Sequence, residues 1–345
     1  MRTIYLACFL IVMTATGVSV QGQNERENQS QNQEQNRQGK EEMKGSYLTI
    51  SAGVGSSSFN YKLNSLGEKG TSKAQLGYGI DIKYSYFFTT HWGITSGVGL
   101  SHYATKGKFQ GGITDGNYYK LGMQTDNDLE GRPRDFELRA RVSNLEEKQM
   151  AYFLEIPLML SYHTYFKEQN RCWGFYGGLG AKLQLPVSSK FKIQNGSKSE
   201  FNVSGDYEGI PTDMGAPSNP PVPQHGYGTI MDPNSSLGWD DKAKLKIGVA
   251  ATAELGVIFS LGKTTDLQVG GYLDYGITDM KKNGNQGLFS PVGAYHPGAD
   301  NKIGNGIKYN GMMSSDVTGK IRLISCGVKI GVKFKMNGKE NNSHN

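Results

Sequence analysis

Seven ionisable side chains in this 345-residue chain share one parity of alternating segments: Asp81, Lys83, Glu155, Lys182, Glu254, Asp274 and Lys329. Carboxylates and ammonium groups held at similar height in a narrow enclosure can pair, or they can line an ion path or gate. Pairing into a hydrogen-bonded cluster that fills and fixes the enclosure is the structural reading, because a buried charge without a partner is costly. The ion path is the functional alternative, and the residue types alone leave both open.

Other patterns that could carry chemistry fail one by one. The run from Gly256 through Gly262-Lys263-Thr264 resembles a phosphate loop, but it has one residue too many between its glycines and crosses a strand and a tight turn instead of opening a helix. The histidines, His91, His102, His163, His225, His296 and His344, show no metal-ligand spacing. A Ser-His-Asp arrangement would have to be assembled by distant loops. The expectation is therefore no enzyme, with no catalytic, cofactor-binding or metal residues and no cofactor.

What could position the seven charges is a set of strands. Eight segments alternate with period two, at about 46–58, 74–88, 92–105, 149–163, 172–186, 243–260, 266–279 and 320–336. In 75–88 the even positions are Leu76, Tyr78, Ile80, Ile82, Tyr84, Tyr86 and Phe88, whereas the odd ones are glycine, polar or charged apart from Phe87. A strand facing lipid on one side and a wet lumen on the other needs this division. The fold class expected is all-β, an eight-stranded antiparallel up-and-down transmembrane β-barrel with long outer loops. Connections alternate between short (89–91, 164–171, 261–265) and long (59–73, 106–148, 187–242, 280–319), which predicts both termini on the periplasmic side.

Tyr86, Phe88, Trp92, Tyr162, Trp173, Phe175, Phe259 and Phe334 fall on the lipid parity beside the short turns or near the end of the last strand. They form an expected membrane-interface girdle. A soluble barrel would put its apolar residues inside and has no use for an aromatic rim. Pro157 stands within the fourth strand and is expected to mark a bulge beside Glu155. Among the strand glycines all but Gly177 and Gly271 fall on the lumen parity, which leaves room in a narrow bore.

Arg2, the apolar run 4–13 and the small residues before Gly22 read as a signal peptide over 1–22. Residues 23–45 are rich in Gln, Asn and Glu and read as a disordered periplasmic tail, 46–336 as the barrel and 337–345 as a disordered end. Cys172 and Cys326, which remain after cleavage, are expected on distant strands as thiols. The formal charge of +6 is spread along the chain, so no nucleic-acid partner is expected. The third long loop contains EGIPTDMGAPSNPPVPQHGYG, whose prolines and glycines break regular structure. It is a binding surface, a mobile cover or a tolerated insertion.

The fourth strand, YFLEIPLMLSY, resembles the LEIPLLLKY signature of the PorT-like outer-membrane β-barrel family of Bacteroidetes, and WGFYGGLGAKLQL and GGYLDYGITDM resemble that family's following strands. The resemblance spans roughly 46–336. It implies the outer membrane, contact with its lipid and lipopolysaccharide, envelope protein partners, and in some members a role in secretion. The reading is a non-enzymatic barrel with a narrow or plugged lumen that acts through surface loops or protein partners. A porin-like channel for ions or small solutes is one alternative, and a secretion or assembly accessory another.

Overall fold

A sheet whose outward face is apolar and whose inward face is polar has no free edge to leave in lipid, so it closes on itself. The computed structural model describes residues 43–63, 70–109, 119–127, 133–143, 145–168, 171–193, 200–207, 228–229, 241–262, 264–282, 287–291 and 307–336. Eight strands make the wall: β1 (Gly45–Asn60), β2 (Gly70–Phe87), β3 (Trp92–Phe109), β4 (Glu146–Glu168), β5 (Arg171–Ile193), β6 (Gly248–Ser260), β7 (Thr265–Gly276) and β8 (Arg322–Met336). Each is antiparallel to its neighbours in chain order, and β8 pairs with β1 from Ser46↔Met336 to Asn60↔Arg322 to complete the ring. The eight expected strands are all present.

The parity also holds. On β2 the even residues Leu76 to Tyr86 are exposed, while Lys83, Ser85 and Phe87 are buried. On β4 the outward set runs from Tyr152 to Tyr162. Eleven residues at strand rise and a tilt near 40° give a band roughly 25 Å tall, the height of a bilayer's apolar layer. Inward glycines make the bore passable for the side chains that fill it. Gly256 and Gly270 are cross-strand partners, and a Cβ on either would lie 2.6 Å from the Tyr176 ring or its hydroxyl.

Short turns at 88–91, 169–170 and 261–264 lie at one end, and the long connections 61–69, 110–145, 194–247 and 277–321 at the other. The wall rises further at the long-loop end than periodicity suggests, with β3 reaching Phe109 and β5 reaching Ile193. Strands Tyr119–Asn127, Pro133–Ser143, Glu200–Tyr207 and Gly228–Thr229 join the second and third long connections in a separate four-stranded sheet. These segments were expected as loops.

Three details correct the sequence reading. Pro157 does not sit in a bulge: the β3–β4 register is the same on either side, Ser96↔Leu158 and Gly99↔Glu155. The pairing skips the Pro157 step, which leaves its missing N–H without consequence, and Ser96 Oγ donates to its carbonyl at 2.9 Å. The register shift in this hairpin lies at Tyr152/Phe153, opposite Ser188 and Pro186, where Val187 is the extra residue. Third, β6 starts at Gly248 and not near 243, because Lys246 N–H bonds Met280 O at 2.8 Å and Leu245 bridges Lys281. The expected leader 1–22, nearly all of the tail 23–45, the end 337–345 and the Pro-rich run before Gly228 lie outside the described residues.

Candidate functional site

The bore is filled in three layers. In the middle layer all seven charges expected from the sequence are engaged, in two groups. Lys83 Nζ lies 2.6 Å from Glu254 and 3.8 Å from Asp81, and Lys329 Nζ lies 2.7 Å from Glu254 and 2.8 Å from Asp81. Lys182 Nζ lies 2.8 Å from Asp274 and 3.1 Å from Glu155. Strands β2 and β6 stand opposite each other in a ring of eight, so the Lys83–Glu254 contact crosses the whole bore.

Remaining lone pairs are satisfied. Glu155 accepts from Ser101 Oγ at 2.8 Å, Tyr103 Oη at 2.9 Å and Gln184 Nε2 at 3.0 Å. Asp274 accepts from Thr252 Oγ1 at 2.6 Å, and Asp81 from Ser51 Oγ. The first group is balanced and the second carries one excess negative charge, which these hydroxyl and amide donors stabilise.

The layer at the short-turn end contains residues the sequence reading passed over. Lys333 Nζ on β8 donates to His163 Nδ1 on β4 at 2.8 Å, again joining opposite strands. The ammonium lies 4.1 Å from the centroid of the Tyr47 ring and 4.8 Å from that of Phe87, and His163 stacks on Phe87 with centroids 3.7 Å apart. Tyr165 Oη donates to Asp266 at 2.6 Å. Parity would have found these: Lys333 lies on the face of Lys329, and His163 on that of Glu155.

The layer at the long-loop end is an apolar plug. Leu288, Tyr309, Met312, Met313, Val317 and Ile321, all from the fourth long connection, pack on Phe59, Tyr103, Phe153 and Phe191 from the wall. Gly311 starts the 3₁₀ turn Met312–Ser314 at φ 79°, and a Cβ there would lie 2.7 Å from the Phe191 ring. Two carboxylates anchor the plug, Asp279 through Ile321 N–H at 2.9 Å and Glu147 through a larger set of donors. Glu147 is fully buried and accepts from Tyr309 Oη, from Met312 N–H at 2.9 Å and from Gln149 Nε2 at 2.8 Å. It stands five residues above Tyr152, outside the apolar band, and burial raises its pKa.

A cavity of about 40 Å³ lies between the middle layer and the Lys333–His163 layer, and one of about 30 Å³ lies within the middle layer beside Asp81, Glu155, Lys182 and Lys329, room for a few water molecules. Their linings are hydroxyls, rings and the paired charges. Among the described residues no three His, Cys, Asp or Glu side chains come together as metal ligands would. The Gly256–Gly262 run crosses the end of β6 and a tight turn, a geometry with no helix N-terminus to receive a phosphate.

On the outside, the eight girdle aromatics lie at the short-turn end of the wall, with Trp92 and Tyr162 5.0 Å apart and Trp173 and Phe175 5.4 Å apart. Phe166, exposed and 5.1 Å from Trp173, continues this row of rings below the expected strand end. At the other rim Tyr78 and Tyr152 share a 3.1 Å contact between hydroxyls, and His102 stacks on Tyr78.

A family match agrees with this architecture. The family described as "Outer membrane protein beta-barrel domain" matches residues 21–282, about three quarters of the chain. Among solved structures the chain is similar to OprG of Pseudomonas aeruginosa (15% identity, TM-score 0.33, covering 86% of this chain and 98% of that one). It is also similar to Neisserial surface protein A (12% identity, TM-score 0.30, covering 85% and 97%). A third likeness is to Ail of Yersinia pestis, solved with the heparin analogue sucrose octasulfate (11% identity, TM-score 0.26, covering 84% and 99%). Curated proteins give no match. With an eight-stranded closed ring, an outward apolar band and a family match over most of its length, the chain belongs to the outer-membrane protein β-barrel domain family.

Proposed function

We propose that this protein is a non-enzymatic barrel whose bore is closed, and that it acts through its long loops or through envelope proteins those loops meet. The observation that carries the reading is the 2.6 Å contact of Lys83 with Glu254 across opposite strands. A conducting path would have to separate a pair whose side chains are each 8% exposed, and breaking a buried pair is strongly unfavourable. The Lys333–His163 contact and the plug support the same reading at the two ends.

In this reading 1–22 is removed on export, 23–45 lies in the periplasm as a tail, and the long loops face outward, as the short-turn and long-loop asymmetry supports. The fourth-strand motif supports a place in the PorT-like branch, which makes a secretion or assembly accessory the second role to test.

Two experiments decide between bore and loops. The purified protein should give little conductance in planar bilayers, and large steady conductance would put the porin-like alternative first. Shortening the connections 110–145 and 194–247 should leave a folded barrel that no longer rescues a deletion strain. Full rescue by that variant would move the function into the wall, the bore or the tail.

A further inference from the structure

Strand pairing sets lysines side by side on the outer wall just above the apolar band. Lys73 is the cross-strand partner of Lys106, Lys106 of Lys148, and Lys148 of Lys192, while Lys190 faces Lys242. Paired residues project to the same side of a sheet, so these side chains form a row across β2 to β5 about 14 Å wide.

Like charges placed directly opposite one another destabilise a sheet. Glu146 offsets part of this, at 2.6 Å from Lys106 and 3.2 Å from Lys108, and Asp241 is occupied by Lys308 at 3.3 Å. Lys192 has interactions of its own. Lys73, Lys148, Lys190 and Lys242 have no ion pair among the described residues.

The height of the row identifies what would balance it. Lys148 stands four residues beyond Tyr152, about 10 Å above the band after strand tilt. The Tyr78, His102 and Tyr152 rings mark the interface below it. Lipid phosphates lie at that level.

We infer that the row Lys73–Lys106–Lys148 with Lys190 and Lys242 binds the phosphate groups of a phosphorylated glycolipid in the adjoining outer leaflet. The choice of a glycolipid of that leaflet rests on the outward orientation of the long loops proposed above. The lysine-phosphate contact itself does not.

The test uses full-length protein in nanodiscs of phosphatidylcholine doped with a bisphosphorylated diglucosamine lipid, its dephosphorylated form, or phosphatidylglycerol. Bound lipid is counted by native mass spectrometry. The wild type should retain the bisphosphorylated glycolipid in clear preference to both others. The variant Lys73→Gln/Lys148→Gln/Lys190→Gln/Lys242→Gln, which leaves the Glu146 pairs intact, should lose about ten-fold or more of that retention. Restoring Lys148 and Lys190 should recover part of it, which a folding defect would not allow.

Equal retention by variant and wild type overturns the proposal, and so does equal loss of the phosphorylated and dephosphorylated lipids. Phosphatidylglycerol binding as well as the glycolipid would overturn the assignment to the glycolipid. Nanodiscs have no sidedness, so the outcome is independent of orientation, which is read separately by labelling a cysteine placed in the third long loop of intact cells.

Discussion

The middle of the bore and its long-loop end are both closed, but by different physics. In the middle, Asp81, Lys83, Glu254 and Lys329 are held by rigid wall strands, and every pair is directional. At the long-loop end most of the filling comes from the fourth connection, joined by Tyr61, Leu63, Leu145 and Ala243 from the others, and its contacts are mainly apolar, with Glu147 among its few directional anchors. A layer of paired charges cannot shift without exposing an unmatched charge, whereas a plug of Met, Leu and Val can leave and return as a unit. The comparison teaches that movement in this barrel belongs to the plug, while the charged layer beneath keeps the bore shut.

Breaking the middle layer should have the largest effect. Glu254→Ala leaves Lys83 and Lys329 with only Asp81 and should lower stability by about 3–5 kcal/mol. Urea unfolding from lipid vesicles measures this, and a change near zero would mean that water already compensates these charges. The plug should be softer. Met312→Ala opens a cavity and should cost about 2–5 kcal/mol within the plug, read as faster amide exchange in 309–318 with β1 to β8 unchanged. Gly311→Ala should follow at about 1–3 kcal/mol, because alanine at φ 79° also meets the Phe191 ring.

The smallest effect sharpens the comparison through pH. Burial raises the folded-state pKa of Glu147, so the folded chain holds its proton more tightly than the unfolded one. That stabilisation is fully present below the unfolded carboxyl pKa and is lost as pH rises through the folded value. Exchange protection of 309–318, corrected for intrinsic pH dependence, should therefore be higher in mild acid than at neutrality. Glu147→Gln should flatten the dependence, and an unchanged slope in that variant would assign it to another group.

The wall was legible in the sequence because period two over long segments separates two solvents, and each side chain in 75–88 reports its face. The seven charges were legible for the same reason. Lys333 and His163 carried the same signal and could have been added by extending parity to the strand ends. The plug was not legible: Leu288, Met312, Met313 and Val317 follow no period, since a loop filling a mouth is selected by shape and volume and not by repeat. The hairpin Tyr119–Asn127 with Pro133–Ser143 was hidden likewise, because its strands bond to another loop and not to the wall. Pro157 misled because a proline in a closed sheet suggests a bulge, whereas a skipped step in the ladder accommodates it.

Removing the plug tests the central claim most directly. A variant with 285–317 replaced by a short Gly-Ser linker should fold with its wall intact and still give little conductance in planar bilayers, because Lys83–Glu254 crosses the bore beneath. Adding Glu254→Ala and Lys333→Ala to that variant, which breaks both cross-bore contacts, should produce ion conductance. Steady opening from loss of the plug alone would contradict the account and make the loop, not the charged layer, the seal of this barrel.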